Sequence, residues 1–208
     1  MLRTLLVLLC VAIAANALAQ AKTTPAKTTK KPFVPEIEYQ QRGAPMPDLK
    51  LLSYHYPISK EEKNVANINR SRQERRLMKK RNKIASQQYI TAEDLDNSAN
   101  LFVMIFNPNC GHCEDETEML VKNISFFKRS KLVMMASPVQ WPNLHDFVKS
   151  FHVADYSPIF IGIDSANFIG KVFLYQSLPQ INIYSADRKL VKAFTGDVPM
   201  DTLVRYIQ

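Results

Sequence analysis

The sequence predicts an α/β domain: a central mixed sheet flanked by helices, with a basic, partly helical extension at its N-terminal side. Three observations lead there. Continuous apolar runs at Leu101–Phe106 and 132–136 read as buried strands separated by a helical stretch. Strand patterns at 181–184 and Leu190–Thr195, joined by a turn around Ala186-Asp187-Arg188, then read as a hairpin. The charge is also segregated. The chain of 208 residues is net +8, yet residues 20–90 carry 16 basic and 6 acidic residues, and residues 91–208 carry 10 basic and 13 acidic. With 46% hydrophobic residues and 5 glycines, the chain is neither collagen-like nor wholly disordered.

From the N-terminus, residues 1–19 read as an export signal. Arg3 is the positive start, 5–15 is an uncharged apolar run too short to span a bilayer comfortably, and Ala17-Leu18-Ala19 offers small residues for cleavage before Gln20. The third cysteine, Cys10, would leave with it. Residues 20–46, rich in Lys, Thr and Pro, read as a flexible linker.

Residues 47–87 form the basic extension. Leu49, Leu51, Leu52, Tyr54 and Tyr56 alternate in part and predict a short strand. Ser59 with Glu61 and Glu62 predicts the start of a helix running to Ile84. Between Arg70 and Lys83 this helix carries eight basic residues spread around its circumference, so its apolar stripe is weak. It reads as a solvated helix, as a contact to an anionic membrane surface, or as a cover over the domain's own acids. Nucleic acid is disfavoured, because export removes the usual targets and no aromatics interleave with the charges.

The compact domain spans 88–208. A short strand is expected at 88–90, and Thr91 with Asp94 predicts the cap of a short helix ending at Leu95. After the strand Leu101–Phe106, a helix is expected over 114–127, packing through Met119, Ile124 and Phe127. The strand 132–136, a helix 141–151, a short strand 159–163, a helical segment 167–175 and the hairpin follow, and a helix over 201–207 closes the chain. Trp141, Phe126, Phe127 and Phe147 are expected in the core, and His145 at the surface.

The chemical centre is Cys110-Gly111-His112-Cys113, set after a buried strand, at the Pro108-Asn109 break where a helix begins. A helix N-terminus presents free N–H groups and partial positive charge, which stabilise a thiolate on Cys110. The thiolate is the attacking species in disulfide exchange, and Cys113, one turn on and more buried, is placed to resolve the mixed disulfide. His112 adds a group that can be cationic. Glu114, Asp115, Glu116 and Glu118 oppose these effects at longer range. A structural staple, zinc and copper delivery through the thiols are the competing readings. A four-residue loop gains little from closure, and His145 and His152 are poorly spaced for zinc. The sequence calls for no metal and no cofactor.

The segments FVMIFNPNCGHCEDETEML and SLPQINIYSADRKLVKAFTG, in that order, resemble the thioredoxin-like superfamily, most of all the exported TlpA/ResA-type redoxins such as those of Bacteroidota. The resemblance covers 88–208. It implies a three-layer α/β/α sandwich, with Cys110 as attacking and Cys113 as resolving cysteine, and Gly111 and His112 in support. Pro179 would be a cis-proline against the disulfide. Leu178 would pair with a bound peptide through its backbone, and Asn109 would stand at the substrate-facing position usually held by Trp. An inserted strand and helix would occupy about 151–175. The strand before the motif lacks the buried acid that serves the resolving cysteine in thioredoxins. The expectation is an exported, periplasmic thiol–disulfide oxidoreductase acting on protein substrates, in exchange with a redox partner, with association to an anionic membrane surface through residues 70–83 as one option for the basic helix. The rival is a non-catalytic binding module whose cysteines are structural or metal-binding.

Overall fold

The computed structural model describes residues 39–55, 70–96 and 98–208. The export signal, most of the linker and the helix start at Ser59 lie outside the described residues. Seven strands form one sheet: β1 (Lys50–Ser53), β2 (Tyr89–Thr91), β3 (Leu101–Phe106), β4 (Lys131–Ala136), β5 (Ile159–Asp164), β6 (Gln180–Tyr184) and β7 (Leu190–Thr195). Their order is β2-β1-β5-β4-β3-β6-β7. β3, β4 and β5 run parallel, with Val103 opposite Val133 and Met134 opposite Ile161. β6 and β7 add antiparallel on one side, β1 and β2 on the other.

The three central strands are apolar apart from Lys131 at the start of β4 and Asp164 at the end of β5, because both sheet faces are covered. Alternation divides them between two cores. Phe102, Met104, Phe106, Leu132 and Met134 face one side, with α2 (Gly111–Lys122) and α3 (Leu144–Phe151) packed there through Cys113, Leu120, Leu144 and Phe147. Leu101, Val103, Ile105, Val133 and Met135 face the other, against Ile84 of α1 (Arg72–Ala85) and the π-helical turn Ile169–Phe173. The result is a three-layer α/β/α sandwich. The segment expected as an insertion supplies β5, an interior strand rather than an appendage. The 47–87 segment contributes β1 to the same sheet.

β1 lies close against β5. A Cβ added at Gly162 would sit 2.2 Å from the Leu52 carbonyl oxygen and 2.9 Å from Leu51 Cγ. A backbone oxygen cannot yield without breaking the β1–β5 ladder. Gly162→Ala is therefore expected to cost about 2–3 kcal/mol, read as a lower urea midpoint. An unchanged midpoint would contradict this strand pairing.

Several expected elements end differently. The basic helix does not run unbroken from Ser59, because Arg70 and Ser71 are non-helical. Ser71 caps α1 in a capping box: its Oγ accepts from the Glu74 N–H at 3.2 Å, and its own N–H donates to Glu74 Oε2 at 2.6 Å. The Asp94 carboxylate does accept the Thr91 N–H at 2.9 Å, but only a turn forms there, not a helix. Pro138–Asn143 is a 3-10 helix ahead of α3, since Pro142 has no N–H to donate. That geometry turns Trp141 outward, 43% exposed, edge-on to Tyr54. Phe126, in the 3-10 turn Ile124–Phe126, is likewise exposed, while Phe127 and Phe147 are buried as expected. The C-terminal helix is short, α4 (Met200–Leu203), and continues as a 3-10 turn. The basic helix and the motif helix pack on opposite faces of the sheet, so α1 cannot cover the acids of α2.

Candidate active site

The strand β3 ends at Phe106, and an Asn-Pro-Asn turn carries the chain into α2. Asn107 shapes the turn: its Oδ1 accepts the Asn109 N–H at 2.9 Å and its carbonyl accepts the Cys110 N–H at 3.1 Å. Cys110 is the N-cap of α2, in extended conformation and half-buried, with its carbonyl accepting the Glu114 N–H at 3.0 Å. Its sulfur therefore sits at the positive end of a 12-residue helix. Cys113 is fully buried. Burial pushes its thiol up to about 12; the Asn107 N–H opposes the rise, and a hydrogen bond with Cys110 and the Asp197 carboxylate add to it. The pair is thus an accessible thiol in contact with a protected one. Asn109 is exposed beside it and Gly111 has open space at its Cβ position.

The buried face of α2 is Cys113, Glu116, Thr117 and Leu120, spaced i, i+3, i+4 and i+7. Glu116 is a carboxyl with 3% exposure on an otherwise apolar stripe. Its Oε2 accepts the Val198 N–H at 3.0 Å, and Oε1 has no partner among the described residues. Burial raises its pKa to about 7; the Val198 N–H opposes the rise and Asp197 adds to it. In sequence Glu116 is one of four acids in the first turns of α2, with Glu114, Asp115 and Glu118. Its place three residues after Cys113, on the same stripe, was the available signal.

A raised carboxyl has a stability consequence. The folded state binds the Glu116 proton more tightly than the unfolded state, so its stabilising share is complete below pH 4.5 and is lost as pH rises through about 7. A shift of this size corresponds to about 3 kcal/mol. Urea unfolding of Glu116→Gln is expected to show that much less decline between pH 4 and 8 than the native chain. Parallel pH profiles would refute the shift.

The loop after β7 closes over the motif. Gly196, at φ +77°, donates its N–H to the Pro179 carbonyl at 2.8 Å. Asp197 Oδ2 lies 2.9 Å from His112 Nδ1, both side chains exposed. Val198 holds Glu116. Three successive residues thus tie the motif helix to the Leu178-Pro179 turn. That peptide bond is cis, as the resemblance implied, and Leu178 packs half-buried against both cores. His112 is not turned solely toward the thiols: its Nδ1 is engaged by Asp197, a residue 85 positions away that no local pattern announces. His145 bonds through Nδ1 to the Tyr54 hydroxyl at 3.0 Å. Among the described residues no three His, Cys, Asp or Glu side chains converge to hold a metal ion.

With this geometry in view, known structures were compared. A protein assigned as thiol:disulfide interchange protein DsbE from Chlorobium tepidum matches at 12% identity and a TM-score of 0.50, covering 77% of this chain and 89% of that one. The chain has the thioredoxin-like fold. StoA from Bacillus subtilis matches at 15% identity and a TM-score of 0.46, over 57% of this chain and 87% of its own. The thioredoxin domain of a thiol-disulfide oxidoreductase from Bacteroides vulgatus matches at 14% and 0.46, over 56% and 81%. No protein-family model and no curated protein matches the sequence.

Proposed function

We propose that this protein is an exported thiol–disulfide oxidoreductase that exchanges disulfides with protein substrates through Cys110 and Cys113. One observation carries the reading: an accessible thiol at a helix N-terminus is hydrogen-bonded to a buried thiol, with a buried carboxyl one turn further along the same face. A structural staple needs no such carboxyl, and a buried acid with one oxygen unpartnered among the described residues costs stability, so its place beside the dithiol favours a functional role.

In the reducing direction the Cys110 thiolate attacks a substrate disulfide. An S–S bond forms between Cys110 and the substrate, and the other substrate sulfur leaves as a thiolate and takes up a proton. Cys113 then gives its proton to Glu116 and attacks the Cys110 sulfur, which breaks the Cys110–substrate S–S bond; the second substrate sulfur leaves as a thiolate and takes up a proton from solvent. The Cys110–Cys113 disulfide forms, and the substrate leaves as a dithiol carrying two electrons from the pair. The half-buried Leu178, through its backbone, and the exposed Asn109 offer the substrate chain its place beside Cys110. The sequence signs of export support an oxidising compartment, where the pair would be recycled by a redox partner.

The test is a stopped-flow reaction of the reduced chain with a disulfide-bonded peptide. One disulfide reduced per chain, with loss of both thiols, supports the reading; inert thiols under native conditions refute it.

Asp197 is expected to tune the pair. Its carboxylate disfavours negative charge at Cys113 and hydrogen-bonds His112 Nδ1. Asp197→Asn therefore favours thiolate and the reduced form, moving the potential upward by roughly 10–30 mV, small because the Asp197 side chain is exposed. The shift should shrink at 1 M salt. A downward shift would contradict this role.

A further inference from the structure

At the opposite end of the sheet from the dithiol lies a cavity of about 180 Å³. It opens between α1, the loop entering β4 and the residues just before β5. Since β3, β4 and β5 are parallel, these N-terminal strand ends are far from the C-terminal end of β3 that carries the motif. The cavity is lined by Lys80, Arg81, Lys128, Arg129 and Lys131 over an apolar floor that includes Phe160, and among the described residues no acidic side chain lines it.

Arg81 is the informative residue. Its side chain is 5% exposed, although arginine is seldom buried without a carboxylate partner. Nε donates to the Ile159 carbonyl at 3.1 Å and Nη1 to Asn82 Oδ1 at 3.1 Å, which leaves Nη2 without a partner among the described residues. Its cation and that of Lys131 both stand over the Phe160 ring, 5.9 and 5.7 Å from the centroid. Lys131 otherwise reaches only the Asp94 carbonyl, at 3.5 Å. Asp155 acts on Arg81, and Asp94 and Asp96 on Lys131, but none of these carboxylates forms an ion pair with either. Burial and the neighbouring charge of Lys80 lower the Lys131 pKa to about 8, the mark of cations gathered without a counter-ion. The loop is held in place: the Gln208 main-chain oxygen accepts the N–H groups of Arg129 and Ser130 at 2.7 and 2.9 Å.

We propose that this cavity binds a phosphate group, with the Arg81 fork and the Lys131 ammonium at its base and Lys80 and Lys128 at its mouth. A guanidinium with a free donor beside ammonium groups is the donor set that phosphate oxygens require. The phosphate has two possible sources, a phospholipid headgroup or a free phosphate ester. Leu77 projects beside the mouth at 43% exposure, which suits contact with a bilayer. The site is independent of thiol exchange, so its failure leaves the oxidoreductase reading standing.

The test uses the full chain in a phosphate-free buffer at fixed ionic strength. Inorganic phosphate is titrated by calorimetry, and vesicles of phosphatidylcholine with or without phosphatidylglycerol are cosedimented. The variants are Lys80→Glu with Lys128→Glu, and separately Lys131→Met. The controls are Arg76→Glu with Lys79→Glu, the same charge change placed on α1 outside the cavity. Saturable binding weakened about tenfold or more by the cavity variants and less than about threefold by the controls supports the site. Binding of phosphate assigns a free ester, binding of anionic vesicles alone assigns a headgroup, and thiol exchange stays unchanged in every variant. Equal losses in cavity and control variants, or no saturable binding to either probe, overturn the proposal.

Discussion

In the Cys113→Ser variant, mixed disulfides with substrate proteins accumulate through Cys110, and turnover falls by more than about 10³-fold. The expectation follows from the unequal burial of the two sulfurs. Cys110 is half-buried and reachable, while Cys113 is fully buried within the core, hydrogen-bonded to Cys110 and the Asn107 N–H. A substrate sulfur can therefore meet only Cys110, and only Cys113 can release it. Cys110→Ser should lose exchange to the same degree and trap nothing. The adducts are read on non-reducing gels as bands that vanish with dithiothreitol. Equal trapping by the two single variants would contradict the division of roles.

Glu116→Gln should slow release of the mixed disulfide about 10²-fold at neutral pH, the usual share of a positioned proton acceptor. A thiol held up to about 12 by burial cannot ionise unaided at neutral pH. A carboxyl held near 7 on the same helical face can take its proton. The native rate should therefore rise through about pH 7 as Glu116 ionises, then level off. In the variant that inflection disappears and the rate climbs steadily with hydroxide. Glutamine keeps the acceptor for the Val198 N–H, so the loop stays in place. An inflection near pH 7 that survives in Glu116→Gln would assign the titration to another group.

The fold was largely legible because its central elements are apolar runs that announce themselves. Leu101–Phe106 and Leu190–Thr195 form as read, and β4, β5 and β6 differ by one residue at an end. The departures have local causes. The helix expected to run unbroken to Ile84 is interrupted at Arg70 and Ser71, where the Ser71/Glu74 capping box, equally visible in the sequence, opens α1. The α-helix expected from Trp141 ignored Pro142 at its second position. At the site, the dithiol and the cis Leu178-Pro179 bond followed from the motifs. The buried acid was sought on β3, where apolar side chains fill both faces, and it comes instead from α2 as Glu116. Asp197 and Val198 reach the motif only through the hairpin's return and the Gly196 turn, a tertiary contact that no spacing in the chain encodes.

The central claim is that Cys110 and Cys113 form a pair that is oxidised and reduced in use. The direct measurement is a redox titration of the full chain in glutathione buffers, followed by the mass difference of alkylated thiols. A reversible two-electron midpoint between about −270 and −120 mV is the predicted result. A pair that stays oxidised below about −300 mV and resists small dithiols would show a structural disulfide and contradict the account.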